Sequence, residues 1–497
     1  MKLKYILGLA LTSVLITSCS EDMMDRINKD VSHPSTDIVN AKFQITDAEV
    51  ATVYSVLCGN YAWYVSSYTE QLFGTGNNQL KNVEVRQFGE MSSSSTFNNE
   101  WNATYLNLNN LVSIKKKCAD GSVNANNYDL LGMEQTLEAL NWGILTDLHG
   151  NIPMTECFGD ISAPKIDSQK DIYDYILTLL DNAQENLAKG GSVVGSQDVI
   201  YKGDVSKWIG LAHALKARYL LHTYGVNKNV LSDVLKEAKA AVDAGFDGAN
   251  LSVFNGKNAD NSWSAYHWSR RYIGSSKTVD DLLVDRKDPR DSIYNYGTDA
   301  VGTPGNASQA MMTETLNYPS WLEKGAAYLH LFSKSEIYFI LAEVKARLGQ
   351  DAKSDFETAV KASIEDYFAT GAGIEGFTDN YSISDDDITA YLKSLESRYT
   401  ENPLKEIMVQ KYIAQTRDEQ LETYNDIRRC RYADGSYYVT LTNPNNTQSG
   451  INRWPLRLPY GESDVVSNPN VAAAFGSGSA AGNYLFTDPV WWAGGNK

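Results

Sequence analysis

Histidine and cysteine are scarce in this chain. The six histidines (His33, His149, His213, His222, His267 and His330) show no metal-ligand spacing, and no HExxH, nucleophile elbow or other strong catalytic signature is present. The five cysteines (Cys19, Cys58, Cys118, Cys157 and Cys430) form no CxxC pair. That argues against a zinc site or a disulfide scaffold and leaves buried free thiols as the expectation for the last four. No segment beyond the amino terminus has the long apolar run that a transmembrane helix requires. Positive charge is in deficit, with 44 Lys and Arg against 61 Asp and Glu and a net charge of −17. Nucleic acid and anionic lipid need basic patches, so this balance disfavours both and suits neutral ligands. Phenylalanine is sparse beside the other rings: 14 Phe against 30 Tyr and 10 Trp. The excess implies many rings that meet water or a polar ligand along one edge.

Residues 1–18 read as a signal peptide. Lys2 and Lys4 make a short positive region, and Tyr5 to Ile16 is an uncharged, mostly apolar run too short to span a bilayer. Ile16-Thr17-Ser18 then leads into Cys19. Small residues before a cysteine at that place resemble the lipobox of bacterial lipoproteins, whose cysteine sulfur receives a diacylglycerol. An ordinary cleaved signal peptide with a chance cysteine is the alternative. Two or three acyl chains on one residue suffice for stable anchoring, whereas one is marginal. Ser20-Glu21-Asp22 and Asp25 resemble the acidic tag that sends some surface lipoproteins to the outer leaflet. The expectation is a protein lipid-anchored to the outer membrane through Cys19 and facing the cell exterior. Residues 20–43 read as a polar tether in which His33-Pro34-Ser35 breaks any helix. The chain thus divides into residues 1–18 as signal, 19–43 as lipidated cysteine and tether, and 44–497 as one large domain.

Apolar spacing of about 3–4 residues predicts a long series of helices. They run over Thr46–Tyr64, Glu100–Lys117, Tyr128–Leu148, Ser168–Ala188, Lys207–Tyr224, Val230–Ala244, Ser333–Leu348, Ala352–Phe368, Ser384–Ser397 and Pro403–Arg429. Asp204 and Asp351 are expected to cap helix starts, the latter after Gly349 ends the preceding helix. Trp142 and Trp208 sit on helical stripes and read as core, as do Trp101 and Tyr105. Arg428 and Arg429 fall near a helix C-terminus, where positive charge meets the dipole. Asp147 precedes the Gly150–Pro153 turn and is expected to cap or bridge loop backbone. Asp385-Asp386-Asp387, with Asp379, is oxygen-rich but lacks EF-hand spacing; an acidic helix start explains it. Between residues 245 and 330, and again over 430–497, periodicity gives way to Gly, Asn, Ser and aromatic residues, read as ordered loops. The fold expectation is mainly α: a single large α-helical domain with TPR-like helix pairs and long aromatic-rich loops, although no strict 34-residue repeat is visible.

Several segments, in order, resemble the SusD/RagB family of outer-membrane nutrient-binding lipoproteins, and within it the second SusD-like subgroup. They begin with INKDVSHPSTDIV, where Val31-Ser32 replaces a usual proline, and ALNWGILTDLHGNIPMTECF (139–158), where His149 stands for a tyrosine. DSQKDIYDYILTLLDNAQENL (167–187) and DVIYKGDVSKWIGLAHALKARYLLH (198–222) follow, with His213 in place of an asparagine. KDPRDSIY (287–294), SKSEIYFILAEVKARLG (333–349), the stretch 404–432, RWPLRLPYGESDVVSNPNV (453–471) and a closing VWW complete the series. The resemblance implies a binding protein rather than an enzyme. It would capture an oligosaccharide outside the cell and deliver it to a SusC-like TonB-dependent transporter. No cofactor is expected and no metal ligand is assigned, while a structural metal such as calcium at Asp379 and Asp385-Asp386-Asp387 stays open.

Such a site needs aromatic planes for the apolar faces of the sugar, with amides and charged groups for its hydroxyl rim, on loops held by a rigid scaffold. Three stretches qualify. Residues 63–101 include Trp63, Tyr68, Phe73 and Asn77; residues 258–272 include Asn261, Trp263, Tyr266, Trp268, Arg270 and Arg271; residues 317–328 include Tyr318 and Trp321. The expected ligand residues are Trp263, Tyr266, Trp268, Arg270, Trp321, Tyr318, Tyr68, Phe73, Asn77 and Asn261. Rival readings stay open. A binder of a non-sugar nutrient such as peptides would show an apolar groove. A surface glycoside hydrolase would need two suitably spaced carboxylates, which 61 acidic residues can always supply. A purely structural anchor would leave the loop aromatics unexplained.

Overall fold

The computed structural model describes residues 39–76, 79–191, 194–297, 299–312, 316–374 and 382–495. The signal segment, Cys19, residues 20–38 of the tether, Asn77 and Asp379 lie outside the described residues. The fold is mainly α. Helices of nine residues or more run in the order α1 Lys42–Val50, α2 Asn60–Tyr68, α3 Asn98–Lys117, α4 Tyr128–His149, α5 Gln169–Lys189, α6 Val205–His222, α7 Leu231–Asp243 and α8 Ser262–Arg270. They continue as α9 Lys277–Arg286, α10 Lys334–Arg347, α11 Lys353–Gly371, α12 Asp385–Ser394, α13 Pro403–Gln415 and α14 Gln420–Ala433. Among the described residues, no helix is long and apolar enough to cross a membrane.

The helices α3, α4, α5, α6, α7, α10 and α11 pack each on the next, with α13 against α10 and α11, so the body is a stack of helix pairs. Sequence dictates which face each helix buries. On α5 the buried positions Ile172, Ile176, Leu179, Leu180, Ala183 and Leu187 recur at helical spacing. Helix α4 is buried almost all round, which suits its place between α3 and α5. Asp204 caps α6 by accepting from the Ser206 and Lys207 backbone N–H groups, and Ser384 and Asp387 form a capping box on α12, as the acidic run implies.

Two family segments turn out to be hubs of buried hydrogen bonds. Asp198 accepts from Ile200 N (2.9 Å), Tyr201 N (2.8 Å) and Gly203 N (2.7 Å), and from the indole Nε1 of Trp208 (2.8 Å). The loop ahead of α6 is thereby fixed to a tryptophan inside it. Asp147 accepts from Tyr173 Oη and from Trp492 Nε1 (2.9 Å), with His222 Nδ1 at 3.2 Å. Its partners are therefore side chains of α5, α6 and the C-terminal segment rather than loop backbone, because α4 holds it in the interior. Arg428 and Arg429 also work inside the fold rather than at an exposed helix end. Arg429 pairs with Glu343 (2.7 Å) and Asp426 (2.6 Å), and Arg428 donates to the Asp147 carbonyl (2.7 Å).

Other expectations shift for physical reasons. The first predicted helix is divided: a π-helical turn, Ala51–Leu57, follows α1, and Gly59 precedes α2. A Cβ on Gly59 would lie 2.2 Å from the Ser55 carbonyl oxygen, so only glycine fits that return. The predicted helix 403–429 breaks between α13 and α14. Asp351 bonds to Lys353 N (3.0 Å) from one residue before the actual cap position. Cys58, Cys118 and Cys430 are buried and Cys157 half-buried, all as free thiols. The largest departure is the stretch 245–330, which contains α8 and α9 where loops were expected.

Among the described residues there are four small antiparallel sheets: two join distant segments, β1 Leu72–Gly74 with β5 Ile273–Ser275 and β4 Ala249–Leu251 with β6 Leu329–Phe332, and two are local, β2 Ile152–Pro153 with β3 Ile166–Asp167 and β7 Thr447–Gln448 with β8 Ile451–Asn452. The first matters most for function. It pairs Leu72 with Ser275 and Gly74 with Ile273. Strand β1 follows α2 and β5 follows α8, so this pairing draws those two helices together.

Candidate functional site

Where α2 and α8 meet, Trp63 of α2 and Tyr266 of α8 stack with ring centroids 3.9 Å apart and planes at 21°. Both rings are only partly buried. They form one wall of a groove of ≈ 410 Å³. The π-helical turn contributes Tyr54 and Ser55, the Gly59 return contributes Asn60, the start of α3 contributes Asn99, Glu100 and Ala103, and α8 adds Ser262, Ala265 and Ser269. Asn60 Nδ2 donates to Glu100 Oε2 at 3.1 Å. Burial raises the pKa of the Glu100 carboxyl above its ordinary value, and the Asn60 bond only partly offsets that. Burial likewise pushes the Tyr266 hydroxyl far above its ordinary range, with Tyr272 adding to the rise and the charge of Arg270 opposing it. Paired aromatic faces beside two amides, hydroxyls and one carboxyl suit a ligand with apolar patches and hydroxyl rims.

The helical geometry of α8 sorts the expected ligand residues. Asn261 is its N-cap: Oδ1 accepts from Ser264 N (2.9 Å) and Nδ2 donates to carbonyls of Lys324 (3.0 Å), Gly325 (3.2 Å) and Ala327 (3.2 Å), so its amide is used up inside the fold. Trp263 and His267, one turn apart, face inward; Trp263 is 0% exposed and packs edge-on against Trp63 at 6.5 Å. Tyr266 faces the groove. Trp268 and Arg270 face solvent, Trp268 with 53% of its surface exposed. Arg271 closes the helix in the left-handed conformation and lays its guanidinium 4.6 Å above the Trp268 ring.

The remaining expected residues divide similarly. Trp321, Tyr68 and Phe73 are each about 1% exposed, and Trp321 packs edge-on against Tyr367 at 5.1 Å. Like Trp263 and Asn261 they are buried and offer no open face to a ligand. Tyr318 is half-buried, donating to Glu323 (2.7 Å) and packing 4.6 Å from the His267 ring. Trp63, Asn60 and Asn99 were not among the expected ligand residues, although Trp63 and Asn99 lie in a stretch recognised as aromatic and amide-rich. The α8 helix itself had a readable signal: an Asn cap followed by Trp263, Tyr266, His267 and Arg270 at helical spacing.

Other clusters have different character. A cleft of ≈ 480 Å³ is lined by Asp285, Arg286, Arg398, Lys405 and Glu406, but its charges pair with each other, Arg286 to Glu406 at 2.9 Å and Arg398 to Asp285 at 3.1 Å. Asp147, His222 and Glu422 bring donor atoms within 4.8 Å of one another, the spacing a metal ion would need. Both ring nitrogens of His222 are already engaged: Nδ1 with Tyr173 Oη (3.0 Å) and Nε2 with Glu422 (2.9 Å). Burial lowers the imidazole pKa, but the Asp147 and Glu422 carboxylates outweigh it and raise it to about 9. The cluster is a buried imidazolium held between two carboxylates.

A family model described as starch-binding and associating with the outer membrane, SusD-like, matches residues 65–460. The chain belongs to this SusD-like family. A SusD/RagB family protein of Bacteroides thetaiotaomicron superposes with a TM-score of 0.82 at 30% identity, covering 92% of this chain and 100% of that one. A chitin-binding protein gives a TM-score of 0.72 at 22% identity over 91% and 100% of the two chains. A chitin-binding SusD homolog from Flavobacterium johnsoniae gives 0.66 at 18% identity over 90% and 98%. The last two share the SusD-like fold. No curated protein matched the chain.

Proposed function

We propose that this protein captures an oligosaccharide at the cell surface and passes it to a SusC-like TonB-dependent transporter, while acylated Cys19 anchors it to the outer membrane and residues 20–43 act as a leash. The observation that carries the reading is the groove between α2 and α8, where the stacked Trp63 and Tyr266 rings meet the amides of Asn60 and Asn99. Pyranose rings present apolar CH faces and hydroxyl rims, and this wall offers a partner for each. The family's outer-membrane association and the chitin-binding names of two structural relatives point the same way. The role is binding rather than catalysis.

Calorimetry of the mature chain against an oligosaccharide panel that includes starch and chitin fragments tests this. Binding that falls in Trp63→Ala and Tyr266→Ala supports it; a panel without a single binder overturns it. Full protection of the protein from protease on intact cells would overturn the surface anchor. Failure to co-purify with a SusC-like transporter from the native membrane would overturn the delivery step. New reducing ends on a bound glycan would replace the binder with a hydrolase.

A further inference from the structure

The chain is acidic overall, yet the edge of the groove is not. Arg270 is the one arginine that is exposed as a whole residue among the described residues. Its hydrogen bond, 3.4 Å to the carbonyl of the adjacent Ser269, is at the long end of the range. Neither Arg270 nor Arg271 forms an ion pair among the described residues, in a protein with 61 carboxylates to choose from. Arg218, Arg286, Arg290, Arg347 and Arg429 are each locked to an aspartate or glutamate, and Arg86, Arg428, Arg431 and Arg453, which show no ion pair among the described residues, are buried or half-buried where Arg270 is exposed. Both guanidiniums stand at the end of α8, just after the groove-lining Ser269. Arg270 follows Ser269, which lines the groove, and its charge acts on the Tyr266 hydroxyl. Arg271 rests over the exposed Trp268 ring.

We propose that this edge is a subsite for an anionic group on the glycan, a carboxylate or sulfate ester, read by Arg270 and Arg271 while Tyr266 and Trp268 hold the sugar rings. The inference rests on the glycan-binding reading of the groove and deepens it from neutral to acidic glycans. A guanidinium presents a fork of N–H donors that matches a carboxylate or sulfate in two parallel bonds, and stacking on an indole orders it for that contact. The acidic body around it repels anions at long range. An acidic ligand is therefore favoured only where these two side chains outweigh that field, which gives the site selectivity rather than general anion affinity.

The experiment is a glycan array of paired acidic and neutral oligosaccharides, oligogalacturonides and their carboxyl-reduced counterparts among them, followed by calorimetry of the strongest binders. Acidic glycans are expected to bind preferentially, with affinity that weakens as salt is raised. R270Q and R271Q should each lose about tenfold for the acidic member of a pair and leave the neutral member unchanged, the size of one lost charge-assisted contact. Trp268→Ala should weaken both members. If the bound glycans are neutral and R270Q binds them as the parent does, the anionic subsite is wrong while the groove stands. If no glycan binds, the reading of the groove fails first. Hexaglutamate bound as tightly as the acidic glycan would overturn the assignment to sugars.

Discussion

The helical stack and the face around α8 use charge in opposite ways. Inside the stack, charges are buried in pairs: Glu343 with Arg429 (2.7 Å) and Arg347 (2.8 Å), Lys411 with Asp426 (2.7 Å), Arg218 Nε with Glu336 (2.8 Å), His222 with Glu422 (2.9 Å). These pairs cross between α6, α10, α13 and α14. Desolvation cancels much of their attraction, so their main consequence is that a wrong helix register would strand a charge in the core. On the α8 face, Arg270 is exposed and Arg271 half-buried, neither in an ion pair among the described residues, and the packing below them is aromatic. The contrast teaches which groups are spent on the fold and which are left for a solute.

The sharpest way to break the contrast is to strip a partner from a buried network. Glu343→Ala takes from the buried Arg429 and Arg347 the carboxylate they share, leaving them Asp426 and Asp434, and is expected to cost about 3–5 kcal/mol, read as a lower urea midpoint. R270Q should leave that midpoint unchanged; an equal loss would erase the distinction. Trp263→Ala, beneath the groove, should cost about 3–5 kcal/mol by opening a cavity, and would lower affinity only through the lost support. If it weakens glycan binding without destabilising the protein, Trp263 touches ligand after all.

Two buried histidines test the same contrast by pH. Burial pulls the His222 pKa down and the two carboxylates raise it to about 9, above its ordinary 6.5. Its contribution is therefore complete below 6.5 and lost as pH rises through 9, on the order of 3 kcal/mol. His149 lies among Tyr61, Trp101 and Tyr460, and burial pushes its pKa down to about 3. Its neutral ring supports the fold above 6.5, and that support declines as pH falls from 6.5 toward 3. Urea midpoints measured across pH should show His222→Gln flattening the alkaline limb and His149→Gln the acid limb. The smallest effect belongs to the surface: Tyr266→Ala should lower glycan affinity by about 1 kcal/mol by calorimetry, and Trp268→Ala should shift stability by no more than about 0.5 kcal/mol.

Much of the scaffold was legible before any coordinates. The stripes of α5 and α6, the Asp204 cap, the acidic start of α12 and the interior places of Trp142 and Trp208 follow from local spacing and capping chemistry. The α8 segment misled because its nine residues give little more than two turns of periodicity, with serines between the rings. Read as loop, Trp263 was a good stacking residue; on a helix with Tyr266 facing out, it must face in. Trp63 was passed over for the converse reason, since its own neighbours in sequence say nothing of the ring it stacks upon.

By itself the sequence determined most of the long helices and their buried faces, because these are written in residues a few positions apart, and also the family and the sign of the overall charge. Which aromatic rings are buried and which line the groove was decided only by the tertiary structure. The β1–β5 pairing joins residues 72–74 to residues 273–275, and that long-range closure brings Trp63 and Tyr266 into contact. Burial is a property of what lies across the interface, and no local pattern carries it.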